Sequence, residues 1–361
     1  MHIKLTESRL PFAPLLLIAP FFLWGTAMVA MKGTLPHTTP LFMAGVRLLP
    51  AGGLILLASL WMGRPQPRGW LAWFWISLFA LVDGTLFQGF LAEGLMRTGA
   101  GLGSVMIDSQ PLAVALMARL LFGEQVGLWG WLGLCFGVVG ISLLGIPQDW
   151  LLGFWQGNVA LEQPSIVEAV FQNGQWLMLL AALSMAVGTV MVRYVSRYAD
   201  PVTATGWHMI LGGIPLFLGS AVWEADQWQY LQGSDWVALA YSTIFGSAIA
   251  YGLFFYFASS GNLTSFSSLT FLTPVFALLF GNLFLAEVLD PLQWFGVVLT
   301  LISIYLINQR DQLEQRIQAW RQWLSGTGEA LPKPDGADLA DLSTDLPTVR
   351  SAEAESEASS L

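Results

Sequence analysis

Charge is what this sequence has least of. Only 11% of its 361 residues are Asp, Glu, Lys or Arg, against about 25% in a soluble domain. An ordinary water-soluble globule is therefore excluded. A single cysteine, Cys135, rules out an intrachain disulfide and any multi-cysteine metal site. The three histidines, His2, His37 and His208, include no HExxH pair, so zinc hydrolysis has no ligand set. No lysine lies well inside an apolar run, since Lys32 falls at the end of one; a Schiff-base photoreceptor is excluded with it. No basic stripe offers itself to nucleic acid. The formal charge of −9 misleads as an average, because the acids concentrate in the last stretch of the chain.

What fills the sequence is apolar. Hydrophobic residues make up 55%, with 17 Trp and 23 Phe, a composition that suits long lipid-facing surfaces with aromatic belts. A spanning helix needs roughly 20 apolar residues. Such windows fall at 14–32, 41–62, 70–91, 99–121 and 126–146, then at 175–194, 202–222, 236–257, 263–286 and 291–308. The N-terminal run is too long for a cleaved signal and reads as the first span. Ten spans with both ends in the cytoplasm satisfy the positive-inside rule. Lys4, Arg9, Arg64, Arg68, Arg193, Arg197 and Arg310 then lie inside, while Asp149, Glu162, Glu168, Glu224, Asp226 and Asp235 lie outside.

The stretch PLAVALMARLLFGE, Pro111 to Glu124, returns as PVFALLFGNLFLAE, Pro274 to Glu287, and each is followed by Trp-x-Gly: Trp131 and Gly133, Trp294 and Gly296. The same offset of 163 pairs Gly25-Thr26 with Gly188-Thr189, Trp73 with Trp236, Gly89 with Gly252 and Ser104 with Ser267. An offset of 161 pairs Gly45 with Gly206. The chain thus reads as an all-α membrane protein of ten helices in two five-helix repeats. Five is odd, so the second copy is inverted, an arrangement common in secondary transporters. The expected divisions are a first repeat over 1–146, an extracytoplasmic connector over 147–174, and a second repeat over 175–308. An amphipathic interfacial helix follows over 309–325, with Leu313, Ile317, Trp320 and Leu324 on one face, and then an acidic disordered tail over 326–361. A proline inside a helix removes a hydrogen bond to the carbonyl four residues back, here Ile107 or Thr270. Pro111 and Pro274 therefore predict kinks facing the bundle interior. Glu124 and Glu287 read as structural ends that reach water or cap the following helix.

The pattern resembles the EamA family of the drug/metabolite transporter superfamily. The residues that carry the resemblance are Trp24-Gly25-Thr26 with Lys32, and the two Pro…Glu…Trp-x-Gly runs; it covers roughly residues 14–308. The resemblance implies a carrier in the prokaryotic cytoplasmic (inner) membrane that moves amino acids, other small metabolites or drugs, mostly outward, without a cofactor.

Ionisable residues within spans are costly and mark functional sites or buried pairs. Arg47, Asp83 and Asp108 each lie roughly 10–15 Å below the outer face at ~1.5 Å per residue, so a pair or triad is expected. In a substrate site, Arg47 would meet a carboxylate and Asp83 or Asp108 an amine or a proton. The other reading is an ion pair locking the second, third and fourth helices. His208, near the repeat equivalent of Arg47, either couples to protons or makes an interhelical hydrogen bond. Trp24, Gln88 and Tyr251 are the aromatic and polar candidates for a cavity wall. The expected partners are thus a small-molecule substrate, the bilayer and protons as coupling ion. A channel or lipid scramblase on the same duplicated fold is the alternative function, and an intramembrane enzyme a poorer one.

Overall fold

The computed structural model describes residues 13–122, 127–145, 173–254, 272–289, 291–310 and 312–317. Glu124, most of the connector over 147–174, the second Thr270 carbonyl and the chain beyond 317 lie outside these residues. Every described regular element is helical. In chain order they are α1 (Ala13–Thr34), α2 (Pro40–Trp61), α3 (Trp70–Phe79), α4 (Gln88–Arg97), α5 (Ala100–Ile107), α6 (Gln110–Phe122), α7 (Leu128–Gly145), α8 (Gly174–Val195), α9 (Pro201–Trp223), α10 (Gly233–Thr243), α11 (Leu272–Leu285) and α12 (Pro291–Asn308).

Local chemistry sets several of these starts. Pro40 and Pro201 occupy first turns, where a missing N–H costs nothing. Asp200 accepts from the amides of Val202 and Thr203 to cap α9, and Asn173 accepts from Gln175 to cap α8. At α10, Gln232 and Asp235 cap each other's backbone.

Among the described residues, six helical stretches are long and apolar enough to cross a membrane: Leu15–His37, Pro40–Trp61, Trp70–Arg97, Gly174–Val195, Pro201–Trp223 and Gly233–Phe254. Shorter apolar helices cover Leu128–Gly140, Leu272–Leu285 and Pro291–Ser303. Exposed tryptophans stand at helix ends, Trp61, Trp70 and Trp223 among them, as an interfacial belt requires. The chain is an integral membrane protein.

Two spans contain a wider turn. α3 runs into π-helix over Ala80–Phe87 before α4, and α10 runs into π-helix over Ile244–Ile249 before helix resumes to Phe254. The two segments lie at equivalent places in the two halves, 163 residues apart. Nothing in the residue pattern foretold them, because a π-turn changes backbone pairing without a composition cue.

Packing couples the two halves throughout. α2 lies along α9 and α7 along α12; α1 packs on α11, α10 and the second π-segment, while α8 packs on α3, α4, α5, α6 and the first π-segment. α9 also meets the first π-segment and α2 the second. Glycine permits a close backbone crossing of α9 and the first π-segment, since a Cβ on Gly212 would stand 2.5 Å from the Cα of Gly84. The Gly133 carbonyl of α7 accepts from the Ser303 hydroxyl of α12 at 2.5 Å.

The expected fourth span is not one kinked helix. It breaks at Asp108–Ser109 into α5 and α6, which places Pro111 in the first turn of α6, where no backbone bond is lost. Pro274 likewise falls in the first turn of α11 as described. Glu287 is an end residue as expected, but it caps a different helix. Its carboxylate accepts from the amides of Ala100 and Gly101 at 2.5 and 3.0 Å, at the start of α5 in the other half, not from α12, which follows it. The cause is the packing of α11 on α5, which brings the turn after α11 to that amide-rich end.

Candidate functional site

The break after α5 and the π-segments gather polar groups at the centre of the bundle. Arg47 on α2 is buried; its Nη1 donates to Ser247 Oγ of the second π-segment at 2.9 Å, and its Nη2 donates to Gln88 Oε1 at the start of α4. Gln88 Nε2 in turn donates to the Tyr251 hydroxyl at 2.9 Å. Ser247 passes its own proton to the carbonyl of Ser242 at 2.9 Å, an acceptor within the loosened turn. Among the described residues Arg47 Nε has no partner, and those that hold the guanidinium are neutral.

Asp108 lies at the C-cap of α5, where the chain leaves one helix and has not begun the next. It is buried and accepts from Ser104 at 3.4 Å. Arg47 and Asp108 line one cavity of about 50 Å³, room for water and well below the about 300–1,000 Å³ of an open small-molecule site. Trp24, Tyr251 and Thr273 line it too, and the wall is otherwise apolar and rich in methionine, with Met28, Met31 and Met185. The Trp24 ring meets Tyr251 and Phe254 at 5.1 and 4.9 Å. Trp24 Nε1 and Thr273 Oγ1 are buried without partners among the described residues. Two donors and a hydroxyl are therefore left over at the wall of a cavity that also carries one cation and one carboxylate.

The expected pair or triad of Arg47, Asp83 and Asp108 does not form. Asp83 pairs instead with His208 of α9, Oδ2 to Nε2 at 3.2 Å. The physical reason is which segment faces which: the π-segment that bears Asp83 packs on α8 and α9, whereas α2 faces the π-segment of the other half. His208 is thus more than a lone interhelical histidine, and its ring lies 4.3 Å from that of Phe79. Of the seven residues singled out in the sequence, Trp24, Arg47, Asp108 and Tyr251 share the cavity, Gln88 ties two of them together, and Asp83 and His208 form a separate pair. Sequence reasoning missed Ser104, Ser247 and Thr273. The first aligns with a serine in the other half, a signal that was visible; a buried serine or threonine in a span otherwise carries none.

The ends of the helices are tied both within a half and across the halves. Lys32 Nζ donates to the carbonyls of Leu95 and Met96 at 2.9 and 3.2 Å, closing the end of α4. Glu224 accepts from the amides of Leu41 and Phe42 and from the Thr39 hydroxyl, capping α2 from the end of α9.

A sequence profile of the EamA-like transporter family matches residues 11–146 and 172–309. A protein of Synechocystis sp., named as an uncharacterized transporter, is 62% identical over 307 residues, which is 84% of this chain and 92% of that one. A chloroplastic WAT1-related protein of Arabidopsis thaliana is 53% identical over 296 residues, 81% of this chain and 68% of that one. One solved crystal structure superposes with a TM-score of 0.59, over 84% of this chain and 98% of its own, at 17% identity; that likeness is one of fold.

Proposed function

The chain belongs to the EamA-like transporter family, within the drug/metabolite transporter superfamily, and is a membrane transporter; on that premise we propose a secondary carrier that exports a small organic metabolite, an amino acid or similar, by alternating access. Its ten spans form two inverted five-helix repeats, with both termini in the cytoplasm and the protein in the cytoplasmic membrane. The packing supports the repeat. Exchanging the halves turns the contact of α1 with α11 into that of α8 with α6, and turns the contact of α2 with the second π-segment into that of α9 with the first. It carries the pairs α2–α9 and α7–α12 onto themselves.

One observation among the described residues carries the substrate reading: a buried arginine with only neutral partners, in the same cavity as a carboxylate bonded to a single serine. Burying a charge unpaired is costly, so such a site is completed by a ligand. A substrate carboxylate on Arg47, within reach of the spare Nε, and a substrate amine on Asp108 would supply both missing partners. Apolar side chains of the substrate would lie against Trp24 and the methionines. Helix ends broken inside the membrane, as at Asp108, are where carriers place such sites.

The test is counterflow in proteoliposomes with a pooled panel of amino acids, nucleosides and sugars. Saturable exchange of zwitterionic compounds is the expected result. Non-saturating flux would replace the carrier with a pore, and exchange confined to uncharged sugars would remove the assigned roles of Arg47 and Asp108.

A further inference from the structure

We propose that the groove between α1, α10 and α11 holds one acyl chain of a membrane lipid whose head carries no net negative charge, in the leaflet that His37 and Asp235 face. The groove has a volume of about 570 Å³, within the about 300–1,000 Å³ of ligand sites, where the Arg47 cavity has about 50 Å³. Among the described residues, α10 and α11 each pack on α1 and scarcely on one another, which leaves the space between them open. The floor is one face of α1, with Thr26, Ala30 and Gly33 at helical spacing. A Cβ built on Gly33 would meet Leu285 Cδ2 at an ordinary 3.6 Å. The Arg47 cavity touches the opposite face of α1, through Trp24, Met28 and Met31. One helix therefore separates the two spaces, and the groove is a site of its own.

Its walls are aromatic and its interior asks for nothing polar. Phe280 and Phe284 of α11 stack with centroids 5.9 Å apart, and Phe22 meets Phe280 edge-on at 6.0 Å. Across from them, the Tyr241 hydroxyl of α10 bonds to the Thr26 hydroxyl at 2.6 Å, and Thr26 donates on to the Phe22 carbonyl at 2.9 Å. The two hydroxyls thus satisfy each other. Phe284 is 68% exposed, so the groove opens sideways, where a membrane protein meets lipid. From Phe22 to Gly33 the floor runs roughly 16 Å at ~1.5 Å per residue, about half of the ~30 Å hydrocarbon core. That is the depth of one leaflet, and at that depth the apolar matter at hand is the lipid chain.

The polar end decides the head. Asp235 is buried, and its Oδ2 accepts from the Gln232 amide at 2.8 Å and lies 3.0 Å from His37 Nδ1. No Lys or Arg stands among the described lining residues. An anionic head would face this carboxylate with no permanent cation to offset it, whereas a zwitterionic head brings its own ammonium to Asp235. The leaflet is the outer one in the orientation proposed above; the site itself rests neither on that orientation nor on transport.

The test is photolabelling in vesicles of phosphatidylcholine and phosphatidylglycerol in equal parts, with a trace of phosphatidylcholine bearing a diazirine on one acyl chain, and mapping of the adducts by mass spectrometry. Adducts are expected to concentrate on Phe22, Ala30 and Phe284 and to be few at Leu218 of α9, which is comparably exposed at 59%. In Gly33→Leu, whose side chain fills the floor, the groove adducts are lost and those at Leu218 stay. The same diazirine on phosphatidylglycerol is expected to label the groove several-fold less. Equal labelling of Phe284 and Leu218 would reduce the groove to ordinary lipid-facing surface and overturn the site, as would groove adducts unchanged in Gly33→Leu. Equal or stronger labelling by phosphatidylglycerol overturns the assignment of the head. If Gly33→Leu fails to fold, Ala30→Phe fills the same floor and decides it. Labelling only by probe confined to the inner leaflet would reverse the proposed orientation and leave the lipid site standing.

Discussion

Gln88 and Tyr251 stand 163 residues apart and hydrogen bond to each other at 2.9 Å. That separation is the offset at which the two halves of the chain align. In the proposed inverted repeat a residue touches its own mate only beside the axis that exchanges the halves, so this bond would lie at that axis. Arg47 hangs from it through Gln88 and is steadied by Ser247 on the other side.

Tyr251→Phe tests the value of the bond. The ring and its contact with Trp24 survive, but Gln88 Nε2 loses its acceptor in a buried place. An unsatisfied buried donor costs about 1–3 kcal/mol, so the detergent-solubilised variant is expected to melt several degrees lower. Gln88 would be free to rotate, and substrate affinity is expected to fall with it. Unchanged melting together with unchanged counterflow would show that the bond positions nothing.

Arg47→Lys keeps the charge and removes the fork. A lysine ammonium cannot reach Ser247 and Gln88 in the same plane and still present a donor to a carboxylate. Counterflow is expected to drop about tenfold or more, the loss of a charge-assisted bidentate contact, while the protein elutes as a single folded species. Arg47→Ala that folds and transports at the normal rate would remove Arg47 from the substrate site.

Much of this was legible before any coordinates. The doubled Pro…Glu run and the apolar windows foretold a two-repeat helical membrane protein, and four of the residues picked from the spans line one cavity, with Gln88 bonded to two of them. Depth along a helix can be counted from a sequence. Rotation about the helix cannot, once a π-turn intervenes, and that is why Asp83 faced His208 instead of Arg47. The broken fourth span was hidden for a related reason. A proline at the start of a helix and a proline in its middle look alike until the break is seen. Cross-half caps such as Glu224 on α2 depend on which ends meet in space, and no spacing rule reports that.

Gly212→Ala probes a close crossing. Its new methyl would lie 2.5 Å from Gly84 Cα and 2.7 Å from the Ala80 carbonyl oxygen, both backbone atoms that cannot swing aside. Overpacking of this kind costs about 1–3 kcal/mol, and here it would part α9 from the first π-segment. Lower yield and lower melting temperature are expected, whereas Gly53→Ala, with nothing within 4 Å of the added Cβ, serves as the neutral control.

Ala286→Gly is expected to stabilise. Ala286 has φ +52, a left-handed conformation that costs an L-residue roughly 1–2 kcal/mol, and the equivalent position in the first half is Gly123. Relief of that strain outweighs the greater chain entropy of glycine, about 0.5–1 kcal/mol. A rise in melting temperature of a degree or two is the outcome to look for; a fall would mean that the alanine methyl packs usefully.

Glu287→Gln asks whether the cap on α5 depends on charge or on shape. The carboxylate takes both the Ala100 and the Gly101 amides, one on each oxygen. A glutamine offers one oxygen and one NH2, and the NH2 would point at an amide donor. One of the two bonds must break, and the favourable meeting of a negative charge with a helix N-terminus goes with it. The surroundings leave no room for another rotamer, since Cβ atoms built on Gly99 and Gly281 come within 2.9 and 2.8 Å of the Glu287 carboxylate. A partly buried charge-assisted cap lost in this way costs about 1–2 kcal/mol. If the cap serves only stability, melting falls and counterflow at saturating substrate does not change. If α5 must let go of the turn after α11 for the outer side to open, the weakened cap instead speeds exchange while melting falls. Measuring melting and counterflow on the same preparation separates the two, and a variant unchanged in both would show that Glu287 contributes neither hold nor gate.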